Sequence, residues 1–392
     1  MLALKSPTAQ YIIVTLNYWA FTLTDGALRM LVVLFFHGLG FSPLEIAGLF
    51  LLYEFFGVIT NLLGGWLASA IGLTITMQLG LTLQIIALCM LLVDSSMLTV
   101  AYAMVAQALS GIAKDLNKMS AKTSIKALIP GDEQNRLYRW VAMLTGSKNA
   151  LKGVGFFLGG WLLAAIGFQG AVGTMAALLA IVLLFSLLLL DRSTGIAKQR
   201  SKFTQLFSKS AAINRLSAAR FFLFGSRDIW FVIALPVFLQ SELGWSYVQV
   251  GSLLATWIIG YGIVQTLAPK VTAASGKTAF QWVAAICLLP ALIAAGLHLE
   301  WHAETLIIAG LLIFGALFAI NSSIHSYLIV SYAREDGAAV DVGFYYMANA
   351  AGRLVSILLS GLIFQHYGLA ACLLGSSVML ISATAISAKL PR

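Results

Sequence analysis

Long apolar stretches, separated by short polar or glycine-containing segments, run along almost the whole chain. Each is long enough to cross the roughly 30 Å hydrocarbon core of a bilayer as an α-helix. The twelve predicted spans are residues 9–36, 45–69, 73–93, 97–121, 137–164, 168–190, 212–240, 246–268, 278–297, 303–330, 338–364 and 368–388. The pattern therefore predicts an all-α fold, a polytopic membrane protein with twelve transmembrane helices. The start of the chain is typical of a retained first span and not of a cleaved signal.

One polar, basic stretch divides these spans into six and six. We predict an N-terminal six-helix half at 1–190, a cytoplasmic linker at 191–211 and a C-terminal six-helix half at 212–392. An internal repeat links the halves, because LGFSPLEI at 39–46 resembles LGWSYVQV at 243–250 with a shift of 204 residues, which also carries Gly72 onto Gly276. The halves are therefore predicted to be pseudo-symmetric and to have the same orientation.

The composition agrees with a membrane protein and explains the net charge. Only 10% of the 392 residues are charged and 60% are hydrophobic, against about 25% charged residues in an ordinary soluble domain. The net charge of +9 comes mostly from basic residues in alternate loops, and the opposite loops contain none. By the positive-inside rule both termini are cytoplasmic, and this distribution disfavours nucleic-acid binding.

Several lysines occur at or within the ends of these apolar spans. Lys114, Lys118 and Lys122 recur every four residues and form one stripe on a helix, and Lys148 and Lys152 repeat the spacing in the next span. Facing lipid, a lysine at the helix centre costs at least about 2.5 kcal/mol, so these helices are expected to face a wet, protein-lined interior. Lys114 and Lys118 also have the length to snorkel to the cytoplasmic edge, where we place Lys122 and Lys126 as interface residues.

Other spans contain further charged and polar residues. Asp25 and Arg29 lie four apart in span one, and the alternative to a functional role is an ion pair within that helix. Span seven contains Arg227 and Asp228, with Arg220 deeper, while span ten offers His325 either as a proton carrier or as a satisfied polar residue. The predicted substrate-binding residues are Arg29, Lys114, Lys118, Lys148, Lys152, Arg227, Arg353 and Asn321, and the proton-coupling candidates are Asp25, Asp115, Asp228 and His325.

The bases of these spans outnumber the acids, which predicts a cationic cavity that binds a polyanion. Arginine binds phosphate-like oxygens through a bidentate fork, whereas lysine provides a movable point charge. An anion that bridges the halves would offset their mutual repulsion and allow the cavity to close around it. No cofactor or metal is expected, since Cys89, Cys287 and Cys372 stand alone in separate spans and show no metal-ligand spacing.

The segment GWLASAIG at 65–72 resembles the loop signature of major facilitator transporters between spans two and three. It departs from that signature at Ser69, Ala70, Leu73 and Thr74, where the family has an acid and bases, although the glycine-packed turn is retained. The resemblance implies a cavity lined by spans one, four, seven and ten, with two, five, eight and eleven beside them. It also implies that spans three, six, nine and twelve face lipid.

Four stretches of the first half resemble the ArsJ-type organoarsenical efflux permeases: residues 17–34, 53–67, 107–126 and 139–163. That resemblance implies a bacterial inner-membrane exporter of 1-arseno-3-phosphoglycerate, which forms when glyceraldehyde-3-phosphate dehydrogenase uses arsenate in place of phosphate. The expected partners are this anion, the bilayer and, functionally or physically, the dehydrogenase. A monomer is expected, and the pentavalent, oxygen-bound arsenic requires no thiol ligand.

Three alternatives remain open. The first is an organophosphate or phosphate antiporter of the same fold. The second is a membrane enzyme acting on a phosphorylated lipid, which is disfavoured because no histidine pair, carboxylate cluster or nucleophile motif occurs in the spans. The third is a non-transporting sensor that docks the dehydrogenase through residues 191–211.

Overall fold

The structure, a computed structural model, is helical along nearly all of the described residues and contains no strand among them. These are residues 6–39, 43–128, 134–191, 210–231, 234–245, 247–299, 302–334 and 337–391. The helices are α1 (Pro7–Gly38), α2 (Pro43–Ile71), α3 (Leu73–Met90), α4 (Val100–Leu128), α5 (Gln134–Leu189), α6 (Ala211–Phe231), α7 (Ala234–Ser241), α8 (Tyr247–Val271), α9 (Gly276–Ile286), α10 (Leu289–His298), α11 (Ala303–Tyr332) and α12 (Ala338–Ser387).

Two of these helices contain a sharp break at a glycine. Gly167 in α5 has φ 69° and ψ 179°, and Gly368 in α12 has φ 71° and ψ −171°. Side chains disfavour this region of φ, and glycine adopts it at little cost. Each glycine therefore divides its helix in two, so that α5 comprises 134–166 and 168–189 and α12 comprises 338–367 and 369–387.

Within the described residues, seven helical stretches are long and apolar enough to cross a membrane. Two of the seven are α5 and α12, which the glycine breaks divide into two spans each. The other predicted spans coincide with α1, α4 and the pair α6 and α7, and these helices contain the ionisable residues that lower their apolar character. The prediction of twelve helical spans is thereby confirmed.

Predicted span nine is interrupted, which the apolar pattern did not reveal. Helix α9 ends at Ile286 and α10 begins at Leu289, with Pro290 in its first turn. Proline has no amide hydrogen to donate and is tolerated in a first helical turn, where the amides lack intrahelical acceptors. The span therefore consists of two short helices.

The chain forms two compact units, one made of residues 1–140, 147–208 and 333–347 and the other of 141–146, 209–332 and 348–392. These bounds differ from those of the predicted halves, since the first unit contains the start of α12 and the second a short piece of α5. Residues 192–209 of the predicted linker lie outside the described residues. The halves and their linker therefore stay a prediction.

In the first unit, glycines bring α1 and α5 into backbone contact. A Cβ added to Gly155 would lie 2.5 Å from the carbonyl oxygen of Leu23, and one added to Gly26 would lie 2.7 Å from that of Lys152. Small residues let membrane helices approach closely and pack through van der Waals contacts. Helix α4 packs on α2 in the same way, because Gly111 faces the backbone of Tyr53.

In the second unit, α6 and α12 approach each other at Gly225 and Gly352. Beside them lies an aromatic core in which Trp230 packs edge-on against Trp257 and Phe314. The indole of Trp257 donates a hydrogen bond to the Leu311 carbonyl at 2.9 Å. In each unit, the helices that contain charged residues therefore pack closely against one another.

The contact between α1 and α5 predicts the effect of Gly155→Ala. The added methyl group collides with backbone, which cannot rotate away, so the helices must separate at a cost of about 1–3 kcal/mol. We expect the midpoint of thermal unfolding of the purified protein to fall by about 1–4 °C. Gly160→Ala is the matched control, because no atom lies within 4 Å of its added Cβ. Equal midpoints for the two variants would contradict the close packing.

Candidate functional site

Three of the buried carboxylates of the first unit lie on the helices α1, α2 and α4. Asp25 lies on α1, Glu54 on α2 and Asp115 on α4, and their exposed fractions are 5%, 3% and 2%. A buried charge is tolerated only when it is paired or hydrogen-bonded, because an isolated charge loses its hydration without compensation. Each carboxylate therefore indicates which cations the fold brings to it.

Asp25 is held by groups from two other helices. The Tyr53 hydroxyl of α2 donates a hydrogen bond of 2.6 Å to its Oδ1, and the Lys152 ammonium of α5 lies 3.8 Å from its Oδ2. Gly26, the next residue, is where α1 meets the Lys152 backbone. The fold thus joins Asp25 to α5, in addition to any interaction with Arg29 on its own helix.

Glu54 is a central member of the site that the sequence analysis missed. Its Oε1 lies 3.5 Å from the Arg29 guanidinium and its Oε2 lies 4.0 Å from the Lys114 ammonium. This one carboxylate therefore connects α1, α2 and α4. The available signal was an acid inside an otherwise apolar span, in the stretch YEFFGVITN.

Asp115 lies between two lysines of its own helix. Its Oδ1 accepts a hydrogen bond from Lys118, and its Oδ2 lies 3.7 Å from the Lys114 ammonium. Gly57 of α2 makes room for it, because a Cβ there would lie 2.7 Å from Oδ2. The predicted lysine stripe on α4 is therefore an ionic network and not a row of isolated charges.

Aromatic rings cover the cations of the first unit. The Lys114 ammonium lies 3.8 Å from the centre of the Tyr53 ring, and the Arg29 guanidinium lies 4.8 Å from the same centre. Cation–π contacts stabilise a desolvated cation by up to about 2 kcal/mol. They help retain these charges inside the membrane without adding more acids.

In the second unit, one buried aspartate connects two arginines. Asp228 has no exposed surface, its Oδ1 lies 2.6 Å from Arg227 and its Oδ2 accepts a 2.7 Å hydrogen bond from Nε of Arg353. Arg353 lies on α12, one residue after the glycine that contacts α6. The predicted residues Arg227, Asp228 and Arg353 thus form a single cluster.

Arg220 is the centre of a second polar cluster in this unit. It donates hydrogen bonds to the Asn349 side chain at 2.9 Å and to the Ser322 hydroxyl at 3.2 Å, and its guanidinium covers the Phe224 ring at 3.6 Å. This arginine is only 3% exposed. Buried hydrogen bonds of this kind join α6 to α11 and α12.

The structure also locates the remaining predicted residues. Asn321 donates a 2.8 Å hydrogen bond to the Ala279 carbonyl of α9, so its amide connects two helices, and its role as a substrate ligand stays a prediction. His325 is buried, and neither ring nitrogen has a hydrogen-bond partner among the described residues. Lys148 is partly buried on α5.

Lys122 differs from expectation. We placed it at the cytoplasmic membrane edge, but its exposed fraction is only 3%. Its ammonium lies 5.1 Å from the centre of the Tyr346 ring, which also contacts Lys118 at 4.7 Å. The Tyr346 ring that covers Lys122 belongs to α12, which is distant in the sequence. The length of the apolar run around Lys122 therefore could not predict its burial. The side chain of Lys126 lies outside the described part of the chain.

Among the described residues, no group of three or more histidine, cysteine, aspartate or glutamate side chains is arranged to hold a metal ion. Cys89 on α3 is exposed, Cys287 at the end of α9 is partly buried and Cys372 on α12 is buried. They belong to separate helices, as the sequence predicted. The chemistry of the clusters is therefore that of ammonium, guanidinium, carboxylate and hydroxyl groups.

Comparison with known proteins identifies the family. The Major Facilitator Superfamily profile matches residues 11–357, most of the chain. The chain belongs to the major facilitator superfamily. This major facilitator protein is a membrane transporter and not an enzyme. No protein among those with curated descriptions matches it significantly.

Solved structures show the same major facilitator fold. A human organic anion transporter is 16% identical with a TM-score of 0.75, over 97% of this chain and 98% of that one. The E. coli fucose:proton symporter is 12% identical with a TM-score of 0.76, over 98% and 99%. A bacterial homologue of the iron transporter ferroportin is 12% identical with a TM-score of 0.75, over 97% and 98%. Identities this low establish the fold alone and carry no information about the substrate.

Glu54 provides a test of the first-unit cluster in this transporter. Glu54→Gln keeps the shape of the side chain but leaves Arg29 and Lys114 without its negative charge. Removing one partner of a buried ion pair costs about 3–5 kcal/mol. Here the loss of stability should be smaller, because the side chains of Arg29 and Lys114 are 23% and 16% exposed and water partly solvates their charges. We expect the midpoint of thermal unfolding to fall by about 2–4 °C.

The control for this variant is Glu242→Gln, which changes an exposed glutamate after α7. Surface substitutions of this kind change stability by less than about 0.5 kcal/mol. A Glu54→Gln protein as stable as the control would show that Glu54 does not hold the cluster together.

Proposed function

We propose that the protein exports an organic arsenate-phosphate anion, 1-arseno-3-phosphoglycerate, by alternating access and so confers arsenate resistance. The observation that carries the proposal is the excess of cations within the membrane-spanning helices. The bases are Arg29, Lys114, Lys118, Lys122, Lys148, Lys152, Arg220, Arg227 and Arg353, and the acids are Asp25, Glu54, Asp115, Asp228 and Asp341. Adding Lys122, Arg220, Glu54 and Asp341 to the predicted residues leaves the excess of positive charge unchanged.

The distribution of these cations supports an anion with two charged ends. Each compact unit has its own excess of bases, lysine-rich in the first and arginine-only in the second. Arginine binds planar carboxylates and tetrahedral oxyanions through paired N–H groups, and lysine contributes a mobile charge. A three-carbon acid with a phosphate at one end and an arseno group at the other suits such a pair of clusters.

The arsenic chemistry is compatible with the cysteine positions. Pentavalent arsenic in this compound is bound to oxygen and resembles phosphorus, so it is recognised as an oxyanion. A trivalent arsenite pump would use thiolates as soft ligands. Cys89, Cys287 and Cys372 are distributed over three helices, which favours the oxyanion.

We place the transporter in the bacterial inner membrane, with both termini cytoplasmic and functioning as a monomer. Its functional partner would be glyceraldehyde-3-phosphate dehydrogenase, which makes the substrate. Physical docking of this enzyme through residues 191–211 remains a separate hypothesis. Nucleic acid has no role in this proposal, because the basic loops follow the positive-inside rule.

The decisive test uses everted membrane vesicles that contain the protein, with glyceraldehyde-3-phosphate, NAD, the dehydrogenase and labelled arsenate outside. We expect label to accumulate only when the dehydrogenase is present. Lys148→Ala should reduce this uptake at least about tenfold, because it removes a cation from the middle of a span. Lys277→Ala, which removes an exposed lysine from the start of α9, should leave uptake unchanged.

Two outcomes would contradict this proposal. Equal uptake of the corresponding phosphate product would favour the organophosphate or phosphate antiporter, for which the same cations would serve. An absence of any uptake by vesicles that contain folded protein would exclude transport of these anions.

Transport is proposed to be proton-coupled, with Asp25 or Asp115 as the acid that exchanges the proton. Both carboxylates are buried, and Asp25 lies 3.8 Å from the Lys152 ammonium while Asp115 lies 3.7 Å from that of Lys114. The Asp25→Asn, Asp115→Asn double variant should therefore lose the pH dependence of transport in the vesicle assay. An unchanged pH dependence would exclude both acids as the coupling site.

A further inference from the structure

One tyrosine of α2 contacts an acid and two bases of the first-unit cluster at once. The hydroxyl of Tyr53 donates a hydrogen bond of 2.6 Å to Oδ1 of Asp25. The centre of its ring lies 3.8 Å from the Lys114 ammonium and 4.8 Å from the Arg29 guanidinium. Tyr53 is only 1% exposed. A single side chain therefore joins a candidate proton-exchanging acid to two of the predicted substrate-binding residues.

The packing of α2 on α4 fixes where this ring lies. A Cβ added to Gly111 of α4 would lie 2.5 Å from the carbonyl oxygen of Tyr53, so the two backbones are in contact there. Lys114 lies one turn beyond Gly111 on the same side of α4, which brings its ammonium over the ring. The ring of Phe50 packs edge-on against that of Tyr53, with 6.4 Å between the ring centres. The tyrosine is therefore held by its neighbours, and its hydroxyl is the group through which Asp25 acts on it.

The surroundings of Asp25 connect its charge to this tyrosine. On the other side of the carboxylate, Oδ2 lies 3.8 Å from the Lys152 ammonium of α5. The other charged or titratable groups that act on Asp25 are Arg29 and Tyr18 of its own helix and Lys114 of α4. A hydrogen bond to an ionised carboxylate is roughly twice as strong as one between neutral groups. Protonation of Asp25 would therefore weaken its hold on the Tyr53 hydroxyl.

We propose that Tyr53 is a positioning residue that couples protonation of Asp25 to the positions of Arg29 and Lys114. The inference rests on the proposed function, in which Asp25 is one of the two candidate coupling acids and both bases bind the anion. With Asp25 ionised, its hydrogen bond holds the tyrosine ring over the two cations. With Asp25 protonated, the ring is held less firmly, and both cations, which are also paired with Glu54 at 3.5 Å and 4.0 Å, turn more easily to an incoming anion.

The coupling has a consequence for binding. Because the free-energy linkage between two sites is reciprocal, an anion that draws Arg29 and Lys114 toward itself favours uptake of a proton by Asp25. Tyr53 transmits this effect through one hydrogen bond and one ring face. Removal of the hydroxyl alone should therefore separate binding of the anion from uptake of the proton.

The test measures how many protons the purified full-length protein takes up when it binds 3-phosphoglycerate, by isothermal titration calorimetry in buffers of different ionisation enthalpy. The same probe is used for every variant, so a difference between variants reports on the protein. Tyr53→Phe keeps the ring over the cations and should bind the probe within about threefold of the wild type. Its proton uptake should fall by about half or more, because the link to Asp25 is lost.

A double-mutant cycle separates coupling from a structural role. Asp25→Asn should lose the same proton uptake, and its combination with Tyr53→Phe should cause no further loss, because both variants interrupt one interaction. Independent structural effects would add instead. The matched control is Tyr102→Phe, which removes a partly buried hydroxyl that donates a 2.9 Å hydrogen bond to the Met90 carbonyl. Its proton uptake should equal that of the wild type.

The outcomes distinguish failure of the coupling from failure of the proposed function. Equal proton uptake by the wild type and Tyr53→Phe, with both binding the probe, would overturn the role of Tyr53 alone. If Tyr53→Phe does not fold, Asp25→Asn decides, because full proton uptake by that variant would exclude the acid through which Tyr53 acts. A wild-type protein that does not bind 3-phosphoglycerate would overturn transport of phosphorylated anions and the coupling with it.

Discussion

The interior of this transporter depends on the need to compensate buried carboxylates. Asp25, Glu54, Asp115 and Asp228 are each at most 5% exposed, and an ionised acid at that depth requires cations and donors close by. The partners of Asp25 and Glu54 described above come from other helices, and Asp228 is paired with Arg227 of its own helix and Arg353 of α12. The ionic contacts therefore fix which helix faces point inward, and they keep an excess of positive charge within the membrane. On the proposed function, the stability of the protein and its attraction for an anionic substrate therefore have the same physical origin.

Both units combine a glycine contact with an ion pair. In the first unit α1 and α5 approach at Gly26 and Gly155, and in the second α6 and α12 approach at Gly225 and Gly352. Close backbones shorten the distance that charged side chains must span, so that they meet in defined geometries. The charged residues adjoin these glycines within one helical turn: Asp25 and Lys152 in one unit, Asp228 and Arg353 in the other. The two units therefore share this pairing of a glycine contact with an ion pair, in addition to the repeated sequence segments.

The sequence predicted the spans and most charged members of the clusters, because apolar length and misplaced charge are properties of single segments. It did not predict the partners. For Arg29 the sequence offered a functional role or an ion pair within its helix, and it did not reveal Glu54 of α2 beside it. Lys122 was expected at the membrane edge, and the sequence did not reveal that Tyr346 of α12 covers it. Helix rotation and neighbours decide such contacts, and no local pattern encodes them. The sequence also did not predict the break between α9 and α10 before Pro290, because the residues on both sides of it are uniformly apolar.

Because the cations are already paired, a substrate must compete with the protein's own acids. At Asp228 both carboxylate oxygens contact arginines within 2.7 Å, so an incoming anion gains little unless it offers more charge or more acceptors than one carboxylate. The proposed substrate, with its doubly charged oxyanions, would do so, whereas a simple carboxylic acid would not. On the proposed function, selectivity for dianions follows from the difference between two ionic interactions, and that difference also limits how far binding can shift the protein between its conformations.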